Sequence, residues 1–254
     1  MWAALCMLFI QFASASEADA RLKTNVSLGG LLLTGNLNQL QANFNGTMTY
    51  TEPKWGNDLI VNGYRIYMKT PDSTDYVRIG DNLLISDLPN VYLSQKVYLV
   101  GLAHYSSSLL HQIDDRWLGG AGVGYTPVRS TQFLVRAAVG GFYEHTRYPS
   151  NVFNLDVEHS GNIRQVPRGG ILSNGWYSRT KSPVTLRYVA WYFINPTDLQ
   201  DRRHFLDVST TVKIKNAIGV RIGMSYAGNS VVVKGVQTSD LRATVGLNFT
   251  SQRQ

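Results

Sequence analysis

The sequence predicts an all-β fold, an antiparallel transmembrane β-barrel of about 12 strands behind a cleaved signal peptide. Three observations carry this. From Leu22 onward apolar and polar residues alternate with a period of two, which gives a strand one greasy face and one wet face. The alternating stretches run for about 10–14 residues, against ~5–6 for a globular strand and ~9–11 for a tilted membrane strand. No stretch reaches the ~18 apolar residues of a spanning helix. Composition agrees: 16% of the 254 residues are charged and 44% are hydrophobic, too apolar for a disordered chain.

Residues 1–20 are expected to form the signal peptide. Trp2 to Ala15 are an apolar block, and Ala13-Ser14-Ala15 and Ala18-Asp19-Ala20 are small-residue cleavage patterns. Cys6 is the one cysteine, so cleavage leaves a thiol-free chain suited to an oxidising compartment. Cleavage after Ala20 also removes Glu17 and Asp19 and no basic residue, raising the formal charge from +7 to +9.

Residues 21–254 are expected to form the barrel. Its strands are read at 22–34, 38–51, 58–69, 74–86, 91–104, 116–126, 131–144, 169–178, 183–194, 203–215, 217–227 and 237–249. The second is the cleanest: Leu40, Phe44, Met48 and Tyr50 share one face, and Gln41, Asn43, Asn45, Thr47 and Thr49 the other. The connections Thr126 to Thr131, Ser178 to Pro183 and Lys215 to Ala217 are short. Those at Tyr105 to Asp115, His145 to Arg168, Asn195 to Arg202 and Gly228 to Gln237 are long. Short turns at one end and long loops at the other suit an outer-membrane barrel. Tyr50, Trp55, Tyr64, Tyr125, Tyr143, Tyr192, Tyr226 and Phe249 lie toward strand ends, where interfacial aromatics gather.

Particular motifs resemble a known family. Thr34-Gly35-Asn36 closes the first strand. Gly120-Ala121-Gly122-Val123-Gly124-Tyr125 forms a glycine strand, preceded by an acidic loop ending in Arg, Asp114-Asp115-Arg116. Val245 to Phe249 close the chain's alternation. In these the chain, over Leu22 to Phe249, is similar to the salt-induced outer-membrane proteins, a Gram-negative family classed as domain of unknown function 481. The resemblance implies an exported outer-membrane barrel and brings no agreed activity and no catalytic residues. Val245, Leu247 and Phe249 also resemble the C-terminal signal read by the outer-membrane assembly machinery.

Function is sought on the wet faces. Arg136, Arg187, Lys213, Arg221 and Arg242 fall there, with Asp207 and Asp240. Such an interior either lines a narrow, anion-preferring pore or pairs internally and holds the barrel rigid. The glycine strand keeps period two and ends in Tyr125, so it is no phosphate loop; it marks a close approach of neighbouring groups. His111 with Asp114 and Asp115, and Asp156 with Glu158 and His159, lack zinc spacing, so no metal or cofactor is expected. His204 sits where a rim enzyme would place its base, but spacing supplies no serine partner. Basic residues are scattered singly, which argues against nucleic acid. The expectation is therefore a non-enzymatic outer-membrane barrel. It is a narrow channel for small or anionic solutes, or else a surface-interaction barrel using the loop His145 to Arg168. Membrane lipid and lipopolysaccharide are its expected surroundings.

Overall fold

Twelve strands form in the computed structural model, which describes residues 21–33, 38–69, 75–130, 132–155, 157, 159–178, 182–215 and 217–253. The signal peptide, Thr34-Gly35-Asn36, Asp156 and Glu158 lie outside the described residues. The strands are β1 (Arg21–Leu33), β2 (Asn38–Thr51), β3 (Trp55–Lys69), β4 (Val77–Tyr92), β5 (Val97–Ser108), β6 (Ile113–Arg129), β7 (Phe133–Arg147), β8 (Ile163–Ser178), β9 (Val184–Asn195), β10 (Asp198–Lys215), β11 (Ile218–Asn229) and β12 (Ser239–Arg253). Each pairs antiparallel with its sequence neighbours, and β1 pairs β12, so the sheet closes on itself. This closing seam is registered from Leu22↔Arg253 to Gly29↔Gly246, eight pairs against thirteen between β1 and β2.

The alternation sorts side chains as lipid requires. Leu28, Val123, Val139, Ile171, Ile222, Met224, Val245 and Leu247 stand exposed on the outer wall. Exposed aromatics flank this band: Trp55, Tyr125, Phe133, Tyr177 and Phe249 toward one end, Trp117, Tyr143, Tyr192 and Tyr226 toward the other. A membrane-spanning barrel shows this band between two girdles. Tyr64 is a correction: it shares the inner register of β3 with Asp58, Ile60 and Asn62 and is 2% exposed, so it belongs to the lumen.

The strands are longer than the sequence limits, and this corrects two expected loops. The β5–β6 connection shrinks to residues 109–112 and the β9–β10 connection to 196–197. In the first, Ser108 Oγ accepts the His111 N–H at 3.2 Å and Gln112 takes a φ of 48°. Asp114-Asp115-Arg116 is accordingly part of β6 rather than a loop. Charge in these stretches suggests chain leaving the membrane; instead the stretches continue the strands, with Arg116, Asp201 and Arg203 paired inside.

The interior is not uniformly wet. Tyr98, Val100, Leu102, Leu118, Ala138, Phe142, Leu172 and Phe193 form a buried apolar cluster on the inner wall. Glycines make its floor. A Cβ on Gly120 would lie 2.7 Å from the Phe142 ring, one on Gly170 2.4 Å from the Phe193 ring, and one on Gly124 2.1 Å from the Tyr98 ring. Backbones also approach: a Cβ on Gly122 would meet the Val139 carbonyl oxygen at 2.3 Å, far inside van der Waals contact. Gly122→Val should therefore abolish the folded, heat-modifiable form on a gel. Gly141→Ala, whose Cβ meets nothing within 4 Å, should leave it intact.

Candidate functional site

The lumen is crossed at three levels, and each follows from which inward position carries a long side chain. Near the end that holds the short turns, Arg136 on β7 pairs with Asp58 on β3, and its Nε donates to Asn174 Oδ1 at 3.1 Å. At the same end Lys23 on β1 stands 5.5 Å over the Trp176 ring on β8. Midway, the His104 ring on β5 meets the Trp191 ring on β9 edge-on at 6.1 Å. Ser86 Oγ lies 2.8 Å from His104 Nδ1. Trp191 stacks on Phe205 at 5.3 Å and carries the Arg203 guanidinium 5.3 Å from its ring.

At the loop end is a buried ionic plug. Glu144 on β7 receives Arg168 at 3.3 Å, Arg116 at 3.5 Å and also Arg203. Asp201 on β10 receives Arg164 at 2.8 Å and Arg168 at 2.9 Å. Arg116 reaches across to β11, donating from Nη1 to Asn229 Oδ1 at 3.3 Å, and from Nη2 to the Tyr148 hydroxyl at 3.3 Å. Arg203 Nε donates to the same Asn229 oxygen at 2.8 Å.

Two loops cap the plug. Residues 148–162 and 230–238 hydrogen-bond to each other through Asn154 N–H to the Val232 carbonyl (3.0 Å) and Lys234 N–H to the Val152 carbonyl (2.8 Å). Tyr148, Ile113 and Val233 are buried together, with Phe153 and Val236 against them. Beneath the cap, burial pushes the His111 imidazole below the usual histidine range; Asp240 and the Gln237 carbonyl oppose this only in part.

Below the plug lies a cavity of ≈ 2120 Å³. Its wall runs from the turn residues Lys54, Ser94, Lys96, Ser130 and Pro183 up to His104, Trp191 and Phe193. Among the described residues its charged lining is Lys23, Lys54, Lys96, Arg129, Arg136, Arg187, Lys213 and Arg221 against Asp58 and Asp207. A second cavity of ≈ 100 Å³ adjoins it on the loop side, and His104, Trp191, Phe205 and Asp207 border both.

Of the residues singled out in the sequence, Arg136, Arg187, Asp207, Lys213 and Arg221 lie on the wall of the larger cavity, and Asp240 and Arg242 on that of the smaller. Arg221 pairs with Asp207 at 3.2 Å and Arg242 with Asp240 at 2.7 Å, and Arg242 stacks on Tyr64 at 3.4 Å. The side chains of Arg187 and Lys213 make no ion pair or hydrogen bond among the described residues. Val245, Leu247 and Phe249 face outward on β12, which continues past Phe249 to Arg253. His204 is on the outer wall, its ring 5.1 Å from Tyr226. His111, Asp114 and Asp115 do not converge: His111 is buried, Asp114 exposed, and Asp115 bonded to Arg147. His159 Nδ1 bonds to the Gly161 carbonyl. Among the described residues no three His, Cys, Asp or Glu gather as a metal site.

Sequence reasoning missed the plug. Glu144 and Arg203 stand at the edges of the strands read for β7 and β10, and Arg116 at the start of that read for β6. Arg164, Arg168 and Asp201 fall within the loops that the sequence predicts. One signal pointed to them: the inner register Arg136, Ala138, Gly140, Phe142, Glu144, Thr146 continues unbroken.

A closed sheet with a lipid-facing band, girdled by aromatics around a basic lumen, defines a transmembrane β-barrel of the outer-membrane type. The chain belongs to the family described as protein of unknown function, DUF481, whose model matches residues 26–250. No curated protein sequence matches it significantly. Among solved structures it is similar to the NanC porin, with 10% identity, coverage of 89% of this chain and 98% of that one, and a TM-score of 0.48. It is also similar to the COG4313 outer membrane channel from Pseudomonas putida F1, with 11% identity, 94% and 97% coverage and a TM-score of 0.46. A third is the translocator domain of the autotransporter NalP from Neisseria meningitidis, with 13% identity, 98% and 94% coverage and a TM-score of 0.42.

Glu144→Gln removes a charge that three guanidinium groups share. It should lower unfolding free energy by roughly 3–5 kcal/mol, as for other broken buried pairs, read as a shift of the urea midpoint in detergent. Acid should also loosen the cap. Because folding depresses the His111 value, the unfolded chain binds the extra proton. Stability is complete above the ordinary histidine value of ~6.5 and is lost as pH falls below it toward the folded value. The thermal midpoint should be lower at pH 5 than at pH 7.5, and His111→Gln should shrink that difference.

Proposed function

We propose that the protein is a non-enzymatic outer-membrane channel, narrow and anion-preferring, held in a closed state by the plug and cap at its loop end. The carrying observation is the larger cavity's lining of eight basic side chains against two acidic ones. A basic wall inside a low-dielectric cylinder raises the local concentration of anions and repels cations. Arg187 and Lys213 matter most in this reading, since no carboxylate among the described residues bonds to them. Arg136 and Arg221 are tied to Asp58 and Asp207 and serve more to hold the wall in place.

The short turns would face the periplasm and the capped loops the outside, as in other outer-membrane barrels. Solutes would then enter from the turn side and meet the His104–Trp191 contact. The outward Val245, Leu247 and Phe249 are the proposed contact for the assembly machinery, with lipid and lipopolysaccharide around the outer wall. The interlocked loops 148–162 and 230–238 favour a second reading, in which the capped end is a contact surface and the lumen stays shut.

Single-channel current in a planar bilayer under a salt gradient tests this. Discrete steps with a reversal potential favouring anions are expected. Arg187→Gln combined with Lys213→Gln should move that potential toward zero. A folded, inserted barrel that stays silent even after removal of residues 150–161 would rule out the channel and favour the contact surface.

A further inference from the structure

The ionic plug does not balance. Among the described residues, Arg116, Arg164, Arg168 and Arg203 meet only Glu144 and Asp201, and all six are at most 4% exposed. Arginine keeps its proton under any ordinary condition, so the cluster carries two positive charges in excess. Asp240 and Asp207 do not supply the difference, because each is engaged by its own arginine, Arg242 and Arg221. An uncompensated charge removed from bulk water costs several kcal/mol or more. The described residues alone leave that charge without a negative partner close to the cluster.

The place for that partner is the ≈ 100 Å³ cavity beside the plug. Arg116 and Arg203 form one side of it. Arg203 spends Nε on Asn229 and Nη1 on Glu144, while its Nη2 makes no hydrogen bond among the described residues. Opposite stand Asn43, Asn62 and Asn82, from three neighbouring strands. Each amide brings two N–H donors. The lining also carries Asp207 and Asp240, each paired with its own arginine, and the apolar Leu84, Ile113, Trp191 and Phe205, so the donors offered to an anion are the Arg116 and Arg203 guanidinium groups and the three amides. The cavity, ≈ 100 Å³, is larger than one water needs and admits a halide or a tetrahedral oxyanion.

We infer that the loop-end cavity is a binding site for one small inorganic anion, of chloride to phosphate size, which offsets the excess charge of the arginine plug and holds the capped end closed. The site does not require that the barrel conduct. The bond network explains its selectivity: the anion is recognised by charge and hydrogen bonding at once, and a cation would face Arg116 and Arg203 directly.

The test uses the purified, detergent-folded full barrel. Its thermal midpoint is measured at pH 7.5 and fixed ionic strength while sodium gluconate, a weakly coordinating organic anion, is replaced by sodium chloride or sodium phosphate. A midpoint that rises and saturates with either small anion is expected, as for any ligand bound only by the folded state. Equal midpoints in all three salts would overturn the inference. Asn82→Leu replaces the amide donors of the cavity wall by methyl groups of the same shape and leaves every ion pair in place; it should remove the salt-specific rise. A full rise in that variant would place the anion elsewhere and also overturn it. Should the variant not fold, crystals of the unaltered barrel soaked in bromide decide the matter. An anomalous peak between Arg203 and Asn82 is expected, and none in the loop-end cavity would end the proposal.

Discussion

Everything in this molecule depends on the closure of the sheet. In hydrocarbon no water is present to satisfy a free N–H or C=O, so a strand edge costs several kcal/mol for each group left unpaired. The pairing of β1 with β12 removes that cost at a stroke. Closure also fixes the circumference at twelve strands, and with it the diameter. At that diameter, arginine, lysine and tryptophan side chains from opposite walls can touch. The links Arg136–Asp58, His104–Trp191 and Arg116–Asn229 are consequences of size as much as of chemistry.

Once the diameter is set, the interior must be filled without strain. Two solutions coexist at different heights. Midway, rings of Tyr98, Phe142 and Phe193 lie on glycines, which trade side-chain volume for room. Toward the loops the filling is ionic, and Glu144 is its hub. A carboxylate has lone pairs enough for several donors, so one acid can organise three arginines from three strands. An interior built this way resists compression, yet it can be altered by charge.

Much of the fold was legible in the residues because period-two alternation is imposed by the lipid itself. The number of strands, their facing and the inward set Arg136, Arg187, Asp207, Lys213, Arg221, Asp240 and Arg242 all follow from it. The strand ends were less legible. A charge such as Arg164 or Asp201 reads as chain leaving the membrane, since an unpaired charge would have to leave it. Only the partner makes it a strand residue, and the partner lies on another strand. For the same reason the plug was hidden: Arg116 and Asn229 are 113 positions apart, and no local pattern links them. Tyr64 shows the limit of counting aromatics near strand ends, because its face, not its height, decides whether it anchors in lipid or carries Arg242.

The seam between β1 and β12 is the shortest of the pairings β1 makes. It is also the joint at which the first and last strands meet, so it pairs the segments farthest apart in sequence. Unzipping there would expose two raw edges to hydrocarbon before any gain in chain freedom is realised. A barrier of this kind gives a barrel persistence set by a rate. A few backbone bonds between Leu22 and Gly29 act as the clasp that sets its lifetime in the membrane.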